Sequence, residues 1–405
     1  MPYRAALDWL NFFLADVRGG LGPYVSVFLL TEAQWNQAQI GAVLTISGLI
    51  GISLHIPIGA FIDATRCKRG LLVAGVAVLA VGAVAIERMP TWPVVLAADI
   101  LMAALGAVFA PTVAAITLGL VDPHSLPERF GRNAAFDRAG NLFIAGLVGL
   151  VGWRFSQHAV FYLVPLFAAV TSLIVLSIPR YAIDHERARG GLSGSKAAYV
   201  HPSGWGVLAL RKPLLVLAAA AALFHFANAS MLPLLGQKLA LAHPGQETVL
   251  TSACIIVAQL VTIPAVLLIG TVADRWGRKP LLLIAVAALP LRGLLCAVLD
   301  NPLWLIAAQA LDGVGIGVLD ALIPLLLADI LRGTGRYNVS RGVIGTVQGV
   351  GGSLSNVVAG AIVVTAGYGI AFQVLAASAS IAFLLVLIAM PETKVSAPGS
   401  ALTTS

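Results

Sequence analysis

Few side chains in this chain can do chemistry, and most of those that can lie inside long apolar runs. Asp16 and Arg18 fall in the first run, His55 in the second, Asp99 in the fourth, and Asp137 with Arg138 in the fifth. The second half carries His225 with Asn228, Arg292, Asp312 with Asp320, and Gln348 with Asn356. A charge at bilayer depth costs at least about 2.5–3.5 kcal/mol unless it meets a partner or a wet cavity, so these positions mark the path of a solute or a proton. A carboxylate walled by apolar groups can load a proton from one side and release it after the helices around it move. Asp16, Asp99 and Asp312 are the candidate proton carriers, and Arg18 either modulates them or meets an anionic solute. Other readings are structural. Asp137 and Arg138 serve equally well as a helix-joining pair, Arg292 as a structural residue able to snorkel outward, His225 as a relay or a neutral core residue, and His55 as packing.

Composition dictates what must position these groups. Of 405 residues, 59% are hydrophobic and only 11% charged, with a mean hydropathy of +0.93, a balance that suits lipid rather than water. A spanning helix needs about 20 mostly apolar residues, and about twelve such runs are legible, over 6–30, 38–62, 70–88, 93–120, 133–153, 158–179, 212–237, 247–270, 280–299, 302–329, 339–366 and 369–390. The first run holds Asp8, Asp16 and Arg18 and lacks a small-residue cleavage site, so it reads as a retained span. The stretch 180–211, with Gly190–Gly194 and Pro202, reads as a linker between an N-terminal bundle over 1–179 and a C-terminal bundle over 212–390. Residues 391–405 form a tail, and no soluble domain is expected.

Most of the 25 Lys and Arg fall in the loops after spans 2, 4, 6, 8 and 10 or at the termini, against Arg88, Arg154 and Lys238 in the remaining loops. Positive loops stay cytoplasmic, so both ends are expected there, in a multi-pass plasma or bacterial inner membrane. The net charge of +7 is then topological. No basic stripe with interleaved aromatics suggests nucleic acid, and no Walker loop suggests an ATP-driven pump. Cys67, Cys254 and Cys296 have neither disulfide nor metal-ligand spacing, and no enzyme constellation lies at a membrane boundary, so neither a metal nor catalysis is expected.

One segment recurs. Gly59-Ala-Phe-Ile-Asp63-Ala-Thr-Arg66-Cys67-Lys68 returns as Gly270-Thr-Val-Ala-Asp274-Arg275-Trp-Gly277-Arg278-Lys279, in the loops after spans 2 and 8. Gly131-Arg132-Asn133 before span 5 is echoed by Gly335-Arg336-Tyr-Asn338 before span 11, each followed by an arginine, Arg138 or Arg341. Glycine at 59 and 270 lets two helices approach closely, and an aspartate at 63 or 274 can face the positive end of a helix in the other half.

Six plus six spans, a central linker and the duplicated Gly-x-x-x-Asp-Arg-x-Gly-Arg-Lys motif resemble the major facilitator superfamily. The second copy matches at every position, whereas the first has Ala64, Arg66 and Cys67 in place of Arg, Gly and Arg. The resemblance implies an all-α membrane fold of twelve helices in two pseudo-symmetric six-helix bundles. It implies secondary active transport of a small organic solute by alternating access, without enzymatic activity. The expected partners are that solute, protons and the lipid bilayer, in a monomer driven by the proton gradient with no other cofactor. It places Asp16, Arg18, Asp99, His225, Asn228, Asp312, Asp320, Gln348 and Asn356 around a shared cavity. It also implies a cytoplasmic latch, closed when the cavity opens outward, of Gly59, Asp63, Lys68, Arg132, Asp137, Arg138, Gly270, Asp274, Arg275, Gly277, Arg278, Lys279 and Arg341, with Asp63 then near Arg341 and Asp274 near Arg132 and Arg138. Efflux by proton antiport is the first expectation, and proton-coupled uptake of an organic anion through Arg18 and Arg138 is the alternative. The Gly140–Gly149 segment of span 5 lacks the proline of the drug/proton antiporter signature.

Overall fold

A computed structural model describes residues 3–19, 21–65, 67–122, 125–184, 211–331 and 337–394. Among them there is no strand. The helices are α1 (Arg4–Gly19), α2 (Gly22–Thr31), α3 (Gln37–Ala64), α4 (Lys68–Arg88), α5 (Trp92–Leu120), α6 (Leu126–Arg154), α7 (Gln157–Phe161) and α8 (Leu163–Ser177). After a short 3-10 turn at Arg180–Ala182 and the linker, most of which lies outside the described residues, come α9 (Lys212–Ala229), α10 (Met231–Ala242), α11 (Glu247–Trp276) and α12 (Arg278–Val298). The chain ends with α13 (Pro302–Ala307), α14 (Gln309–Ile330) and α15 (Tyr337–Ala389).

Among the described residues, 10 helical stretches are long and apolar enough to cross a bilayer. One of them, α15, makes two crossings, because Gly367 at φ +85° breaks its helical path in a conformation that costs a glycine little. The shorter α1 and α2 together supply the remaining crossing, with α1 ending at Gly19 and α2 starting at Gly22. The fifth crossing starts at Leu126, earlier than the sequence pattern suggests. Pro127 in its first turn fits a helix start, and the polar residues that follow have partners in α1 and α5.

Two buried apolar clusters account for the packing. One runs from Leu7 to Ile183 and the other from Leu214 to Met390, so each half of the chain closes over its own core. We call the end that carries residues 65–67 and Gly277 the motif end, and its opposite the distal end.

The two lobes meet toward the distal end. Thr45 Oγ1 on α3 donates to the Ser353 carbonyl on α15 at 2.6 Å and accepts from Val357 N–H at 3.1 Å. Gln37 Nε2 donates to Tyr368 Oη at 2.9 Å, and Tyr24 Oη on α2 meets Ser252 Oγ on α11 at 2.8 Å. Backbone approach is close because Gly41 and Gly360 lie directly against Asn356 and Gln37 of the other lobe, and Gly149 and Gly152 of α6 against Ser252 and Thr248 of α11. Toward the motif end these faces separate. Gly342 and Gly345 share the α15 face that carries Gly349, yet a Cβ on either meets nothing within 4 Å, and the same holds for Gly131 on α6. The space between the lobes therefore widens toward the motif end.

Candidate functional site

The charges at the wall of this opening pair in an order that the sequence did not reveal. Arg138 on α6 and Asp320 on α14 stand 3.7 Å apart across the lobes, with side chains 34% and 46% exposed. Asp99 on α5 is half-buried and accepts a 2.5 Å hydrogen bond from Ser47 Oγ on α3 within the same lobe. No described cation lies within ion-pair distance of it.

In the second lobe the most buried charge is Arg292 on α12, at 0% exposure. Its Nη1 donates to Asp312 Oδ1 at 2.8 Å and to Asn228 Oδ1 at 2.5 Å, and Nε and Nη2 donate to Gln309 Oε1 at 3.0 and 2.6 Å. Arg292 is thus a structural residue, as its sequence position suggested, and does not snorkel outward: α9 and α14 supply enough acceptors to hold it inside. These contacts correct the grouping of Asn228 with His225. Asn228 turns to Arg292, whereas His225 Nδ1 lies 3.0 Å from the Ala221 carbonyl of its own helix. Asp312 is engaged by Arg292. Gln348 is half-buried on α15, and Asn356, near the distal contact, donates to the Gly352 carbonyl at 3.4 Å.

At the motif end the ion pairs among the described residues join groups of the same lobe. Asp8 of α1, 4% exposed, accepts from Arg129 at 2.5 Å and from Arg132 at 2.7 Å. Arg129 Nε also reaches Asn133 Oδ1 at 2.7 Å, and Asn133 Nδ2 donates to Thr117 Oγ1 at 3.1 Å, which joins α1, α5 and α6. In the second lobe Arg278 binds Asp274 and Asp329, each at 2.9 Å, and donates to the Ala273 carbonyl at 2.8 Å. Lys68 is buried and caps the end of α3 through the Ile62 and Thr65 carbonyls at 3.1 and 3.0 Å. Asp274 therefore meets Arg278 of its own lobe rather than Arg132 or Arg138, because the motif ends of the lobes stand apart and each ion takes the nearest partner. Arg275 and Arg341 are exposed, Lys279 Nζ donates to the Leu387 carbonyl at 2.9 Å, and Gly277 at φ +92° makes the turn between α11 and α12.

Asp16 and Arg18 lie on α1, His55, Gly59 and Asp63 on α3, and Gly270 on α11, but their surroundings fall outside those described, as does Arg66. Sequence reasoning missed Asp8, Arg129, Ser47, Gln309 and Asp329. Asp8 and Arg129 carried a usable signal, since one is an ion inside an apolar run and the other an ion just before one. Ser47 and Gln309 carried none, because a neutral polar residue inside a span is common.

Outside the membrane-spanning segments, Glu392 shows a further device. Burial alone would raise its carboxyl, but backbone N–H donors of Arg278, Lys394, Lys279 and Thr393 outweigh it and hold the group below the ordinary glutamate value.

Comparison with known proteins adds four findings. The sequence profile of the Major Facilitator Superfamily matches residues 7–289 and again 243–404. An uncharacterized MFS-type transporter of Mycobacterium tuberculosis is 46% identical over 391 residues, which is 96% of this chain and 93% of that protein. A maltose permease of Geobacillus stearothermophilus is 26% identical over 314 residues, covering 76% of this chain and 74% of its own. The crystal structure of the nucleoside transporter NupG superposes with a TM-score of 0.79 at 14% identity, covering 96% of this chain and 98% of that one.

Proposed function

This chain belongs to the major facilitator superfamily, and from that premise we propose that it carries a small organic solute between its lobes by proton-coupled alternating access, with efflux as the direction. The observation that supports this reading is the asymmetry of the lobe contacts, joined at the distal end and separate at the motif end. The distal contacts are mostly neutral hydrogen bonds, worth about 0.5–1.5 kcal/mol each, and such a seal can open reversibly. Arg341 and Asp274 are both exposed at the motif end, and Asp274, held here by Arg278 of its own lobe, can meet the other lobe by exchanging that partner when the lobes rock the opposite way.

The positive-loop pattern puts the motif end in the cytoplasm, so the opening would admit solute from inside. Asp99 is the proton carrier in this reading. Its described partner is a hydroxyl, and a carboxylate with no cation beside it among the described residues gains, at bilayer depth, from carrying a proton during part of the cycle. Asp312 is a weaker candidate, since Arg292 keeps its charge compensated.

A second reading, uptake of an organic anion with protons, is favoured by Arg138 at the chamber wall, where protonation of Asp320 would free a guanidinium for a carboxylate. The names of two similar proteins, a maltose permease and a nucleoside transporter, widen the solute panel to sugars and nucleosides.

The test uses proteoliposomes loaded with a pH-sensitive dye, with organic amines, carboxylates, sugars and nucleosides added in turn. Proton movement that follows addition of one solute, and that is lost in Asp99→Asn, supports the reading. Unchanged proton movement in the variant removes Asp99 as the carrier. No proton movement with any solute removes the coupling.

A further inference from the structure

We infer that the ion pair joining Arg138 and Asp320 across the lobes receives a zwitterionic solute, one that carries an ammonium and a carboxylate close together as an α-amino acid does. This rests on the transport reading above and names the substrate class of its chamber. Arg138 on α6 and Asp320 on α14 stand 3.7 Å apart, beyond the roughly 2.7–2.9 Å of a charge-assisted hydrogen bond. Among the described residues neither side chain has a hydrogen-bond partner, and both are partly exposed. The guanidinium N–H groups and the carboxylate lone pairs are thus available to a solute that enters between them.

Two further groups place this pair in the space between the lobes. His225 on α9 and Arg341 on α15 stand within electrostatic reach of the Asp320 carboxylate, so helices of both lobes surround it. His225 Nδ1 lies 3.0 Å from the Ala221 carbonyl, which can only accept, so Nδ1 carries a ring proton and the neutral ring leaves Nε2 as an acceptor. Arg341 adds a second cation. The α15 face that carries Arg341 also carries Gly345, where a Cβ would meet nothing within 4 Å, which leaves room for the body of the solute.

Charge balance selects the solute. A bare anion on Arg138 would lie against the Asp320 carboxylate, and a bare cation on Asp320 would lie against the Arg138 guanidinium. Either one takes a member of the pair and leaves the other uncompensated. A zwitterion replaces one ion pair by two: its carboxylate accepts from Arg138 with Arg341 nearby, and its ammonium donates to Asp320 with His225 Nε2 nearby. Its two charged ends then hold opposite lobes.

The full chain, purified in detergent near neutral pH, is titrated calorimetrically with two matched sets: phenylalanine, 3-phenylpropionate and 2-phenylethylamine, and leucine, 4-methylpentanoate and 3-methylbutylamine. In at least one set the zwitterion is expected to bind at least about tenfold more tightly than its anion and its amine. Asp320→Asn should erase its advantage over the anion while keeping most of that over the amine, and Arg138→Gln should do the reverse. A pair that only sets the lobe arrangement would shift all three affinities by one factor, which the crossed pattern excludes. The inference is overturned if neither zwitterion binds, if in both sets the anion or the amine binds as tightly as the zwitterion, or if each variant changes all three solutes equally. The ordering in the wild-type chain is decisive even where a variant fails to fold. Solute-driven proton flux in proteoliposomes is read separately: the ordering without flux would sink the transport reading alone, and flux without the ordering would sink this inference alone.

Discussion

Arg138 and Asp320 lie 3.7 Å apart on opposite lobes and are both partly exposed to the space between them. An ion pair in that setting contributes no more than about 1 kcal/mol to static stability, yet it biases whichever arrangement of the lobes brings the two together. Asp320→Asn should therefore shift the equilibrium away from the distal-closed form by up to about fivefold. Arg138→Gln should act in the same direction, and the double variant should add little, since each single change already removes the pair. Spin-label distances across the motif end measure this; a double variant that shifts twice as far as either single would show that the two residues act independently.

The glycines of the lobe contacts make a prediction with opposite signs. A methyl group at Gly41 would run into the backbone of Asn356, so Gly41→Ala penalises the distal-closed form. Overpacking of this kind costs typically about 1–3 kcal/mol, enough to shift the population about fivefold or more. Gly345→Ala meets nothing in this arrangement, but it thickens a face that must close when the motif ends meet. It should hold the lobes in the form described here. Reactivity of single cysteines placed at the two ends would report both shifts, and equal behaviour of the two variants would contradict the rocking geometry.

Arg292 is the charge whose loss should damage the fold most. Asp312→Leu leaves a buried guanidinium with neutral acceptors only, and breaking a buried pair in this way costs roughly 3–5 kcal/mol. Replacing both, as Arg292→Met with Asp312→Leu, removes the desolvated charge together with its partner and should recover much of that loss. Thermal unfolding in detergent would order the three proteins as wild type, double variant, single variant. If the double variant also loses transport while remaining folded, Asp312 does more than neutralise Arg292.

How much of this was legible in the sequence depends on the range of the interaction. Spans, repeat and motif turns are local: apolar run length and Gly277 at its turn announce themselves without knowledge of any neighbour. The Asp8 with Arg129 and Arg132 cluster could have been suspected, because ions beside apolar runs need partners. Its partners could not be chosen, since Arg132 was equally available to Asp274 of the other lobe. That choice depends on which ends of the lobes are apart, a property of one conformation and not of the residue pattern. Arg292 with Asn228 and Gln309 was beyond reach for another reason: side chains 64 and 17 residues apart meet through the packing of three helices.

Glu392 offers a test at the surface. Gly277, which precedes α12, has no side chain to cap that helix, and the Glu392 carboxylate does so from far along the chain, accepting from Arg278 N–H at 2.9 Å and Lys279 N–H at 3.1 Å. Its folded pKa is lowered from the ordinary value of 4.5. The ionised carboxylate therefore stabilises the fold at pH values above 4.5, and that contribution fades as pH falls through the lowered folded value. Because the residue is exposed, solvent screens the effect, and Glu392→Gln should cost about 1 kcal/mol or less near neutral pH, the usual scale of a lost helix cap. The difference in thermal midpoint between wild type and Glu392→Gln should shrink toward zero on acidification from pH 6 to about pH 3. A difference that stays constant over that range would mean that the glutamine amide oxygen caps α12 differently but that the charge contributes nothing.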